Sequence, residues 1–181
     1  MDNRGSRLVS RVYALLLVTA TSAACSSQDP ATTPGDSVLV SGTNHVVFST
    51  SGVGYGPAVP AAASCHLERS YDLAVATGDL TWSVCKVAGD SNDPASYSVD
   101  AGTRTLTPLE LTRATSAIRA IKVSDRMNCG ADLDARTLSV ESSSGKVLYG
   151  DDFYACSKQF EHYVIFEQLQ SYYDVLRDLV P

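Results

Sequence analysis

Apolar and polar positions alternate with period two between residues 71 and 85. Tyr71, Leu73 and Val75 are separated by polar or small residues, Thr77-Gly78-Asp79 interrupts, and Leu80, Trp82 and Val84 then alternate with Thr81, Ser83 and Cys85. Alternation on both sides of a glycine turn predicts a hairpin with one buried face. Two more hairpins are predicted. Val38-Leu39-Val40 and Val46-Val47-Phe48 flank the loop Ser41 to His45, and Thr137 to Glu141 and Lys146 to Tyr149 flank Ser142-Ser143-Ser144-Gly145. Tyr97 to Val99 is a candidate short strand. Ser49 to Ala63 and Ala88 to Pro94, rich in Gly, Pro, Ser and Asp, are expected as loops.

The period becomes helical in two places. Thr107-Pro108-Leu109-Glu110 has the form of a capping box with proline at the first helical position. Leu111, Ala114, Ile118 and Ile121 then follow on one face, predicting a helix over about 108–122. A longer helix is predicted over about 158–180. Ile165, Leu169, Tyr172, Leu176 and Leu179 form its stripe, with Phe166, Tyr173 and Val180 beside it as core. Strands, helix, strands, helix is the order of an α+β fold, an antiparallel sheet of hairpins with two helices packed on one face.

The chain begins with Arg4, Arg7 and Arg11, an apolar run from Val12 to Val18, and small residues from Thr19 to Ala24. Charged, apolar, small is the order of an export signal, here 1–24, and the apolar part is too short to span a bilayer. Ser22-Ala23-Ala24-Cys25 resembles the lipobox of bacterial lipoproteins, with Ser22 where an aliphatic residue is more usual. The resemblance implies that Cys25 becomes the lipidated first residue of the mature chain. Ordinary cleavage near Thr21-Ser22-Ala23, giving a secreted protein without lipid, is the alternative. Ser26 after the cysteine is compatible, within that resemblance, with the outer membrane. Residues 25–37 are then expected as the anchor cysteine and a flexible tether rich in Ser, Thr, Pro and Asp. A single α+β domain is expected over 38–181.

Cysteine arithmetic agrees with this layout. Five cysteines are an odd number for an exported chain; assigning Cys25 to lipid leaves Cys65, Cys85, Cys129 and Cys156. An oxidising compartment favours disulfides, and no Cys-x-x-Cys spacing suits zinc. Four cysteines pair in three ways. Cys65–Cys85 and Cys129–Cys156 are favoured because each closes a segment holding one strand pair.

With 44% hydrophobic and 19% charged residues the 181-residue chain is of globular type. Fourteen Lys plus Arg against twenty Asp plus Glu give a net charge of −6. The leader holds three Arg and one Asp, so the remainder carries eleven positive and nineteen negative residues, net −8. That balance argues against a nucleic-acid partner.

Candidate chemistry is sparse. His45, His66 and His162 are scattered, and neither His-Glu-x-x-His nor Gly-x-Ser-x-Gly occurs. Cys65-His66 pairs a thiol with a base, but neighbours on a strand point to opposite faces. Gly52-x-Gly54-x-Gly56 is followed by Pro57 and Pro60 where a phosphate loop needs a helix. Asp90-Ser91-Asn92-Asp93 lacks the glycine and glutamate of a calcium loop and is expected as a solvated turn. Asp132, Asp134, Asp151 and Asp152 flank one end of the third hairpin. They are expected as exposed acidic turns, and are the first place to look for acid–base work. No cofactor, metal ligand or catalytic residue is expected.

Two inhibitor families offer further likenesses. Val46-Val47-Phe48-Ser49-Thr50-Ser51-Gly52, then paired strands, then Leu106-Thr107-x-x-Glu110-Leu111 opening a helix, resembles the emfourin type over about 46–122, with Val53 in place of a second consecutive glycine. That type inhibits thermolysin-like metalloproteases. A helix, then Cys129, a hairpin and Cys156, is similar to the subtilisin-inhibitor type, whose other disulfide ends in a helix that here has no cysteine. Both resemblances imply a protease inhibitor and carry over no residue. The expected function is therefore an exported, lipid-anchored binding or structural module of the envelope, at the outer membrane or cell surface. Its partners would be the membrane and an unknown protein. A protease inhibitor is the sharper alternative, and a hydrolase using the acidic residues is the third.

Overall fold

The structure, a computed structural model, describes residues 29–50, 58–125, 130, 135–155 and 160–180. Among these residues eight strands and two α-helices follow one another as β1 (Thr43–Thr50), β2 (Arg69–Ala74), β3 (Asp79–Val87), β4 (Tyr97–Thr105), α1 (Pro108–Ala120), β5 (Val123–Ser124), β6 (Arg136–Ser142), β7 (Gly145–Asp151), β8 (His162–Val164) and α2 (Phe166–Leu179). The strands form one sheet in the order β4-β3-β2-β1-β6-β7-β8-β5, antiparallel except for β7 against β8. The fold is the expected α+β type.

The 71–85 hairpin forms as its alternation predicts. Tyr71 lies opposite Trp82 and Leu73 opposite Leu80, and Gly78 turns the chain at φ +74°, a conformation that favours glycine. The third hairpin also forms, between β6 and β7. The capping box is present in full: Thr107 Oγ1 accepts from Glu110 N–H, and the Glu110 carboxylate accepts from Thr107 N–H.

Four expectations are corrected. The first predicted hairpin does not form. Val38 N–H donates to Ile121 O instead, and β1 pairs with β2 on one side and β6 on the other. Two short apolar runs around a loop do not choose their partners, and β1 buries Val46 and Phe48 best at the sheet centre. Tyr97 opens a strand of nine residues, not three. Its core-side parity carries Asp100, Gly102 and Arg104 instead of apolar residues, so the alternation is hidden. The second helix starts at Phe166, because His162–Val164 are taken up by β8. His162 therefore lies on a strand. Residues 30–37, expected in the tether, lie against the domain: Pro30 is buried, Tyr149 donates to Ala31 O, and Ser37 bridges to Lys122.

One core fills the space between the sheet and both helices. Val46, Phe48, Leu73, Leu138, Val140 and Tyr149 meet Ala114, Ile118, Leu169, Tyr172 and Leu176 there. A smaller cluster of Cys65, Cys85 and Tyr97, packed by Val59, Ala63 and Leu67, is separate from it. Strand alternation puts Cys85 on the face opposite Val84. Among the described residues, no helix is long and apolar enough to cross a membrane.

Candidate functional site: an arginine-lined groove around Tyr173

The sheet register assembles positive charge at one end of the helix-side face. Thr50 of β1 lies opposite Arg69 of β2 and opposite Arg136 of β6. One step inward on the same parity stand Tyr71, Phe48 and Leu138, all buried. The two arginines thus continue the apolar rows to the rim of the core.

Tyr173 of α2 sits over this rim. Its ring stacks on Phe48 with centroids 5.2 Å apart and meets Tyr71 edge-on at 6.1 Å. Three guanidinium carbons lie within cation–π range of its centroid: Arg69 at 5.7 Å, Arg177 at 5.8 Å and Arg136 at 5.9 Å. Arg69 also donates to Tyr173 Oη. Arg136 lies closer to the Phe166 ring, at 4.6 Å, and donates to Gln170 Oε1. Arg177 pairs with Asp174 at 3.3 Å.

A groove of about 600 Å³ opens between the end of β2 and β3 and the end of α2, and its lining includes Leu67, Arg69, Tyr71, Val84, Lys86, Tyr173, Arg177 and Val180. Among the described residues, no Asp or Glu lines it. Lys86 pairs with Asp100. Burial first, then the neighbouring Tyr173, push the Tyr71 phenol up to about 12, so at neutral pH it keeps its proton. The groove therefore presents planar, permanently charged donors beside aromatic and aliphatic surface.

The residues singled out in the sequence fall elsewhere. Cys65 and Cys85 are joined, with Cα atoms 5.7 Å apart. Cys25, Cys129, Cys156, Asp132, Asp134 and the Gly52-Gly54-Gly56 run lie outside the described residues. His45 is on β1, not in a turn, with Nδ1 3.1 Å from Asp72 Oδ1 on an exposed face. His66 is exposed beside the buried Cys65, and His162 lies near the Tyr149 ring at 6.3 Å. Asp90 and Asp93 make a turn in which their carboxylates accept from Asn92 and Ala95 N–H groups.

Asp151 and Asp152 are buried, which corrects the expectation of exposed turns. Asp151 accepts from the backbone N–H groups of Arg136, Phe153 and Tyr154. Asp152 accepts from Phe166 N–H and Ser124 Oγ, both at 2.8 Å. Each carboxylate oxygen has a donor, so the pair ties β5, β6, β7 and α2 together. Buried carboxylates demand such partners. Among the described residues, no group of three or more His, Cys, Asp or Glu is placed to hold a metal ion.

The groove was not among the expected sites. Arg69 and Arg136 are distant in sequence, and only the register of β1 with both neighbours joins them. A signal did exist: Arg69 precedes Tyr71 and Leu73, and Arg136 precedes Leu138 and Val140, each a charge on the apolar parity of its strand. No protein-family model matches the chain, and no curated protein matches it.

Proposed function

We propose that this chain is an exported module, anchored at the envelope through a lipid on Cys25, that works by binding, with the groove beside Tyr173 as its contact surface. The observation that carries the reading is the groove itself: arginine and tyrosine side chains converge on an opening of about 600 Å³ that no acidic residue among those described lines. Arginine and tyrosine are enriched where binding energy concentrates, because each combines directional hydrogen bonding with a large apolar surface. The four oxygens of Asp151 and Asp152 are occupied by donors inside the fold. Those two carboxylates are committed to the fold, which takes away part of the support for the hydrolase alternative; Asp132 and Asp134 lie outside the described residues.

The test is a photo-crosslinking residue placed at Leu67, beside the groove, and at Ser83, exposed on the other face of β3. Irradiation of whole cells should give defined adducts from position 67 and none in common with position 83. Identical adduct patterns from the two positions, or none from position 67, would refute binding through the groove. Stoichiometric slowing of a thermolysin-like or subtilisin-like protease that survives Arg69→Gln would instead move the inhibitor reading ahead.

A further inference from the structure

The groove holds a charge that the fold does not neutralise. Arg69 is half-buried, and its guanidinium carries five N–H donors. One is directed at Tyr173 Oη. Among the described residues, no carboxylate lies within ion-pair distance of Arg69. Arg177 stands across the same ring, and its Asp174 partner is 44% exposed, so water screens that pair. Leu67, Val84 and Val180, all partly exposed, supply uncharged surface next to these groups.

Four classes of ligand can be compared on this geometry. A cation meets like charge. A neutral apolar molecule would strip water from Arg69 and offer its donors nothing, which is costly for a charged group. A polyanion would meet the groove but also the field of a chain whose net charge is −6. A single negative charge on a compact apolar body avoids the first two penalties and meets the third at its smallest. The volume falls within the roughly 300–1,000 Å³ of small-molecule sites.

We propose that the groove binds a small organic monoanion, its carboxylate-like head held by Arg69 with Arg177 in support, and its apolar body laid against Leu67, Val84 and Val180. This rests on the binding reading above and gives it a ligand class. The planar fork of arginine matches two oxygens of one head group.

The experiment is a titration of the full processed protein with 3-phenylpropionate and, separately, with neutral 3-phenylpropionamide. Backbone amide shifts of Arg69, Tyr71, Val84 and Tyr173 report occupancy. A ligand of this size should bind in roughly the millimolar range. The acid should bind roughly tenfold or more tightly than the amide, the lower end of what a charge-assisted bond contributes. Arg69→Gln should remove that preference. Arg177→Gln, at a more exposed position, should weaken it while the melting curve stays that of the parent. Equal binding of acid and amide overturns the proposal, as does the absence of shifts up to about 10 mM. So does a preference that both variants retain. Adducts at position 67 without any preference for the acid would end the monoanion proposal and leave the binding reading standing. Neither adducts nor shifts would end both.

Discussion

Asp152 caps a helix that it does not belong to: its Oδ1 accepts a hydrogen bond from Phe166 N–H at 2.8 Å. Ile165, at the N-cap position of α2, provides no side-chain cap of its own. A negative charge at this end also meets the positive pole of the helix dipole. The other oxygen, Oδ2, accepts from Ser124 Oγ of β5. One buried carboxylate therefore fixes where α2 begins and where the short β5 lies.

Asp152→Ala should destabilise the protein by about 1–3 kcal/mol, since it leaves buried donors without an acceptor. Asp152→Asn keeps one acceptor oxygen and should cost less. Denaturant melts with equal slopes measure both. A change below about 0.5 kcal/mol for the alanine variant, the range of an ordinary surface substitution, would mean that α2 does not depend on this contact.

Gly102 should tolerate no side chain. A Cβ there would sit 2.5 Å from Cζ2 of Trp82 and 2.8 Å from Cη2. Trp82 is 8% exposed and belongs to the main core, so it has little room to retreat. Gly102→Val should lower stability by about 1–3 kcal/mol, the range for overpacking, and shift the emission of the chain's single tryptophan. Unchanged emission and an unchanged melt would mean that the ring lies elsewhere.

The legible parts of this fold are those whose signals are local. Gly78 with its flanking alternation, and Thr107-Pro108-Leu109-Glu110, specify a turn and a helix start by their own chemistry. Partner choice is not local. Val38 to Val40 is as apolar as a strand, yet Val38 N–H goes to Ile121 O because β1 is better satisfied between β2 and β6. The groove depends on the same non-local step: Arg69 and Arg136 become neighbours only through Thr50. Asp151 and Asp152 look like a solvated turn in sequence, and only the arrival of β5 and α2 beside them makes them interior residues.

The α1 cap should be sensitive to acid. The Arg104 guanidinium first, then the backbone and hydroxyl of Thr107, hold the Glu110 carboxyl at about 2, below its ordinary value of 4.5. A pKa depressed on folding gives stability that is present above the unfolded value and is lost as pH falls from about 4.5 through about 2. A side-chain NMR titration should place Glu110 near 2 in the parent and higher in Arg104→Gln. An ordinary value in the parent would contradict the contact. Thr107→Ala should cost about 1 kcal/mol at neutral pH, the usual loss for a helix cap.

The cysteines give the last prediction, because lipid and disulfides are linked by count. Five cysteines leave one over after two bonds. Cys65–Cys85 closes a loop at a separation of 20 residues and sits in its own buried cluster with Tyr97. In the chain-entropy account such a closure contributes about 3 kcal/mol, so Cys65→Ala with Cys85→Ala should destabilise by roughly that amount. Cys129 and Cys156 are expected to form the second bond, which leaves Cys25 for a thioether to diacylglycerol. Three results follow from this one assignment. The mature protein should show no free thiol under denaturing, non-reducing conditions. Its intact mass should include a diacylglyceryl group on residue 25. Cys25→Ser should abolish that mass and release the chain from membranes. A peptide joining Cys65 to Cys129 or Cys156 would break the pairing scheme. A mature chain with one free thiol and no adduct would break the anchor and point to a secreted form instead.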